Sequence, residues 1–128
     1  VLHRVTQGEI KKRTQKNGEN FIFLASMCVV SIYQFWEDRD REKIAHELNF
    51  KIKDDLQDDL MGDIRLIRNA IIHHKGIAKK EIEKCKILIW FKKNDKILID
   101  ENMMYALVKF LQKRCDEWIQ QRSGASGA

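Results

Sequence analysis

Gly62-Asp63-Ile64-Arg65-Leu66-Ile67-Arg68-Asn69-Ala70-Ile71-Ile72-His73-His74-Lys75-Gly76 is the stretch whose reading decides the fold. At 100° per residue, with Arg65 set at zero, Leu56, Leu60, Ile64, Ile67 and Ile71 fall between about 180° and 260°. That arc is the face a helix turns to a core. Arg68, Ile72, Arg65, Asn69 and His73 fill an arc from about 300° through zero to 80°, nearly opposite. The polar set therefore points out of its own bundle. His74, on the apolar side, takes a structural role. Met61 and Ile72 put apolar surface into the outward face, which with Arg65 reads as a subunit contact.

This helix is expected to run from about Asp54, with Asp54 and Asp55 at its positive end, to His73 or His74. Gly76 is the stop just beyond. Upstream, Val1 to Lys16 reads as a short polar helix broken at Asn17-Gly18. Val1 stands where an initiator methionine would, so the start is read as trimmed or as part of a longer chain. From Asn20 to about Leu48 runs a long helix. Its first half, Phe21 to Trp36, is apolar on most sides, which places it at the centre of a bundle and is too short to span a bilayer. Downstream, Lys86-Ile87-Leu88-Ile89-Trp90-Phe91 and Lys96-Ile97-Leu98-Ile99, separated by Lys92 to Asp95, read as a small β-hairpin. Asp100 is the expected N-cap of a last helix, about Glu101 to Gln121. That helix carries Met104, Leu107, Val108, Leu111, Cys115 and Trp118 on one side.

The expected fold is mainly α: an up-and-down helical bundle with a small β-hairpin before the last helix. Residues 1–122 form one domain and 123–128 a flexible tail. Apolar residues at 44% and charged residues at 34% fit a folded globular chain rather than a disordered one, and the lack of proline fits long helices. Cys28, Cys85 and Cys115 are scattered, which points to reduced thiols in the cytoplasm and to neither a disulfide framework nor a zinc site. No secretory signal pattern is visible. The net charge of +5 is uneven: +3 over residues 1–20, −5 over 37–63 and +7 over 65–98. A lysine-rich stretch is ordinarily solvated surface, but a basic segment on the motif helix also favours a polyanion such as RNA.

Arg68-Asn69-Ala70-Ile71-Ile72-His73 resembles the R-x4–6-H signature of HEPN (higher eukaryotes and prokaryotes nucleotide-binding) domains. Arg65 one turn earlier and the polar-capped last helix after Lys96–Ile99 are similar to bacterial members, and the likeness covers roughly residues 20 to 118. It implies a metal-independent endoribonuclease without cofactor, working as a homodimer in which two motif helices share a cleft. The 2′-hydroxyl of the RNA would be the nucleophile. In that scheme Arg68, Asn69 and His73 are catalytic. His73 moves protons, Arg68 holds the phosphate and Asn69 orients the histidine or a phosphate oxygen. Arg65, Lys75, Lys79 and Lys80 contact RNA phosphates, and Met61, Arg65 and Ile72 form the dimer contact. Toxin or antiviral members of this kind act beside an antitoxin or nucleotidyltransferase. The alternatives are a non-catalytic HEPN module that binds RNA or nucleotide or dimerises, and an unrelated helical interaction domain. Arg68 and His73 lie about 140° apart round a straight helix, so one phosphate reaches both only through side-chain length, a frayed helix end or the second subunit.

Overall fold

The computed structural model describes residues 6–15 and 18–126. Five α-helices follow one another: α1 (Gln7–Thr14), α2 (Glu19–Phe35), α3 (Arg41–Glu47), α4 (Asp59–His73) and α5 (Glu101–Ser126). A π-helical segment, Trp36–Asp40, joins α2 to α3, so the long helix expected from Asn20 to Leu48 exists but carries a wide turn in its middle. Residues 1–5, 16–17 and 127–128 lie outside the described residues, and with them the beginning of the expected first helix and the end of the expected tail. The tail up to Ser126 continues α5. Gly18 lets α1 approach α2, since a Cβ there would sit 2.6 Å from the Lys12 carbonyl oxygen.

The core is built where the periodicity of α4 put it. Leu56, Leu60, Ile64 and Ile67 are buried, and Ile71 packs against them half-buried. Ala25, Val29 and Trp36 from the α2 side, Leu88, Ile97 and Ile99 from the chain before α5, and Leu107 and Trp118 from α5 complete it. Trp36 and Trp118 stack with ring centroids 5.3 Å apart and planes 13° from parallel.

Three expectations are corrected. The motif helix starts at Asp59, not near Asp54. Arg41 donates from Nε to the Leu56 carbonyl (3.0 Å) and from Nη2 to the Asp54 carbonyl (3.3 Å), taking acceptors that a longer helix would need. Asp58 then caps α4 by accepting from the Met61 N–H. Secondly, α2 is not wrapped on all sides. Phe23 and Leu24 are 62% and 61% exposed, because only one face of α2 meets the rest of the bundle. By length and composition alone, an 18-residue window within Gln7–Glu47 is apolar enough for a membrane span, with a mean hydropathy of 1.2 and 11% of the window buried.

Thirdly, no hairpin ladder joins 86–91 to 96–99, and no strand is present among the described residues. The alternation is real, for Leu88 is buried between exposed Ile87 and Ile89, and Ile97 and Ile99 flank exposed Leu98. The pairing differs. The N–H groups of Lys86, Ile87 and Leu88 donate to the buried carboxylate of Asp63 at 2.6–3.1 Å. The second segment pairs with the chain after α4, through an antiparallel bridge between Ile77 and Lys96 and the bond from Ile97 N–H to the Gly76 carbonyl. Asp100 caps α5 as expected, accepting from the Met103 N–H at 2.8 Å.

Asp63→Asn removes one acceptor oxygen and turns an NH2 group toward donors. We expect it to lower the unfolding free energy by about 3 kcal/mol, read by urea denaturation. Burial, with Asp63's charge and hydrogen bonding adding to it, pushes the Cys85 thiol up to about 12. Native protein treated with iodoacetamide at pH 8 should therefore be labelled at exposed Cys28 well before Cys85. Equal rates at both would contradict the packing of Cys85 against α4.

Candidate nucleic-acid interface on α4

Two bonds end α4. The His74 and Gly76 N–H groups both donate to the Ala70 carbonyl, and the chain turns away through Lys75 and Gly76, whose φ angles are 55° and 77°. Gly76 suits this left-handed turn because it has no Cβ. His73 is thus the last helical residue, and both it and Ile72 are exposed. Arg65, four residues before Asn69, is exposed on the same helix.

Arg68 and Asn69 are half-buried. Arg68 donates from Nη1 to Asn69 Oδ1 at 3.1 Å, and its guanidinium lies over the ring of Tyr33 on α2, 5.4 Å from the centroid. Its Nε is buried and meets no acceptor among the described residues. Arg65 stands close enough to Tyr33 for its charge to favour the phenolate. Burial and the neighbouring Glu37 outweigh that and raise Tyr33 above its ordinary value. The Tyr33 hydroxyl donates to Glu37 Oε2 over a long 3.4 Å. Glu37 in turn is held by Lys53 and Arg41 at 3.2 Å each. Partial burial works to raise its carboxyl, but those hydrogen bonds and charges win and hold it below the usual carboxylate range.

The structure brings together part of the expected site. Arg65 and Asn69 line a cleft of about 670 Å3 with Tyr33, Glu37, His74 and Lys79. His74 is half-buried at this wall rather than fully enclosed in the core. Arg68 and His73 are not among the cleft residues. His73 makes no side-chain hydrogen bond or ion pair among the described residues. Lys75, Lys79 and Lys80 are exposed beyond the helix end. Met61 is corrected: it is buried in its own core, on the first turn after the Asp58 cap, and offers no surface to a second subunit. Among the described residues no group of three or more His, Cys, Asp or Glu is placed to hold a metal ion.

Tyr33 and Glu37 are the cleft neighbours that the reading of α4 missed. Their signal was the i,i+4 spacing of Tyr33, Glu37 and Arg41, which on one helix brings the three side chains into line.

Of the seven arginines in the described residues, five pair with a carboxylate: Arg13, Arg39, Arg41, Arg114 and Arg122. Arg65 and Arg68 do not. Two guanidinium groups one turn apart, without a carboxylate partner among the described residues, present planar forks of the shape that matches phosphate oxygens. Comparison with family profiles, curated proteins and solved structures finds no match to this chain.

The raised Tyr33 hydroxyl gives a direct check on this geometry. In a spectrophotometric titration, wild type should show a phenolate step above pH 10 that is absent from Tyr33→Phe. Substituting Arg65→Ala should move that step higher still, because a cation favouring the phenolate is gone. No movement, or movement downward, would place Arg65 elsewhere.

Proposed function

We propose that the protein is a metal-independent endoribonuclease of HEPN type, acting in the cytoplasm as a homodimer whose two α4 faces enclose one RNA cleft. The observation that carries this reading is the unpaired couple Arg65 and Arg68, the two described arginines that no carboxylate neutralises. With no carboxylate on them, the two forks are open to oxygens of an anionic ligand.

In the proposed reaction the 2′-hydroxyl oxygen of RNA attacks the adjacent phosphorus and the bond to the 5′-oxygen breaks. One proton leaves the 2′-oxygen and one joins the departing 5′-oxygen, giving a 2′,3′-cyclic phosphate and a 5′-hydroxyl. Imidazole is the side chain suited to both transfers, so the two His73 groups of a pair serve as base and acid. Arg68 binds the non-bridging oxygens and stabilises the charge gathered in the transition state. Its Nε, buried and without an acceptor among the described residues, would have to turn outward to make that bond. Asn69 fixes the guanidinium by its hydrogen bond to Nη1. Arg65, with Lys75, Lys79 and Lys80, carries the flanking phosphates.

A second reading, RNA binding without cleavage, is favoured by one specific feature. Arg68 turns toward Tyr33 while His73 stands exposed at the helix end, so a single chain does not gather the pair on one phosphate.

Incubating mixed cellular RNA with the protein in EDTA distinguishes the two. Cleavage by wild type should leave cyclic-phosphate ends. It should fall at least about 100-fold in His73→Ala and at least about tenfold in Arg68→Lys, which keeps charge but loses the fork. Equal cutting by wild type and His73→Ala, or cutting only with added magnesium, would overturn the nuclease mechanism. Salt-dependent binding with no cutting would leave the second reading standing.

A further inference from the structure

The last helix has two faces, and only one is used by its own chain. Leu107 and Trp118 are buried and Met104, Leu111 and Arg114 are half-buried. Beside that face runs a second stripe, Tyr105, Val108, Gln112, Cys115 and Ile119, all exposed. Tyr105 is 66% exposed, Val108 45% and Ile119 54%. Val108 and Cys115 were expected to pack on the core side, and the structure turns them out of it. The spacing from Tyr105 to Ile119 is three, four, three and four residues. Such alternation keeps a seam straight along a partner helix. The stripe covers about 21 Å of helix axis at 1.5 Å per residue.

One flank of the stripe is charged, and its charges are self-complementary. Lys109 and Asp116 lie two turns apart on the same edge, one cation and one anion. Neither has an ion-pair partner among the described residues, although Lys109 rests over the Tyr105 ring at 5.3 Å. A two-fold axis between residues 112 and 113 would set Lys109 against Asp116 of the partner subunit, and the reciprocal pair would form at once. The same axis brings Gln112 near Gln112 of the partner subunit, where two amides can bond to each other. Tyr105 then lies against Ile119 of the partner subunit, and Val108 between Cys115 and Ile119 of the partner subunit. The exposed apolar row on α2, with Phe23 and Leu24, has no such complementary flank to name its occupant.

We infer that the Tyr105–Ile119 stripe of α5 is an antiparallel contact with a second copy of this chain, registered by two reciprocal Lys109–Asp116 pairs. This contact is separate from the pairing of α4 faces proposed above and does not rest on the nuclease reading. An apolar row broken by a single polar residue at its centre is the arrangement that fixes register in paired helices. Partial burial, with Asp116 and Asp40 adding to it, raises the Cys115 thiol, so it stays protonated and behaves as a small apolar group in the seam.

Sedimentation velocity of the full chain over a range of concentrations tests this. Wild type should self-associate, and Val108→Asp should remove one association step with helical circular dichroism unchanged. Lys109→Asp and Asp116→Lys should each raise the dissociation constant at least about tenfold, while the two together restore it to within about threefold. Ile72→Asp, on the α4 face, should leave the step sensitive to Val108→Asp intact. A wild type that stays monomeric at its highest concentration overturns the inference. So does a doubly reversed chain no tighter than the weaker single reversal, or a monomer produced by Ile72→Asp alone. A monomeric wild type would also remove the α4 homodimer, whereas the other two outcomes leave the EDTA cleavage test of the nuclease untouched.

Discussion

A single buried carboxylate, Asp63, sets the relation between α4 and everything downstream of it. It sits on the second turn of the motif helix, almost without solvent, and accepts the N–H groups of Lys86, Ile87 and Leu88. An ionised carboxylate is costly to bury unless several donors converge on it. Three backbone donors in a row meet that condition, and they also fix the path of the chain. With those N–H groups committed, 86–88 cannot use them in a ladder with 96–99. Ile97 instead finds the Gly76 carbonyl, and the returning strand-like segment closes over the end of α4. The end of the motif helix, with His73 and Lys75, is thereby anchored by a segment that itself hangs on Asp63.

A second constraint acts on the opposite flank. The π segment Trp36–Asp40 shifts the register of the long helix between α2 and α3. Glu37 within it accepts from Tyr33, one turn back, and pairs with Arg41, one turn on. Arg41 then reaches the carbonyls of Asp54 and Leu56 and stops the motif helix from starting early. One arginine thus links the wide turn to the N-terminus of α4. Asp58, freed to cap α4, also pairs with Arg114 on α5. Arg114 lies over Trp118, and Trp118 stacks on Trp36, so the circuit returns to the π segment.

What was legible in the sequence was local. The apolar face of α4 is set by a 3.6-residue period, and Leu60, Ile64 and Ile67 are buried as that period requires. The Asp100 cap and the Gly76 stop rest on contacts within a few residues, and both were read at the right place. The errors lie where a distant group outbid a local preference. Asp63 beside Gly62 looks like solvated helix surface, because its partners lie 23 to 25 residues away. Residues 86–91 have strand composition and keep strand alternation, yet their donors are taken. Asp54 and Asp55 suit a helix start, but Arg41, 13 and 15 residues from the carbonyls it binds, holds Asp54 and Leu56 out of the helix. The outward face of α4 was partly legible. Arg65, Ile72 and His73 are exposed as the wheel placed them, whereas Met61, at the edge of that arc, went into the core.

The placement of charge follows from the same economy of partners. Acidic groups are plentiful in residues 37–63, and the structure uses them on Arg41, Lys53 and Arg114 at the positions where helices must be joined. Arg65 and Arg68 stand on a helix whose own acids, Asp59 and Asp63, are engaged by Lys86 and by backbone donors. The two guanidinium groups are left uncompensated by how the fold spends its carboxylates, not by a shortage of them. Tyr33 supports Arg68 through its ring face, which attracts a cation without neutralising it. A carboxylate in that place would have neutralised the guanidinium. An aromatic ring steadies the guanidinium and leaves its charge unneutralised, which a carboxylate would not do.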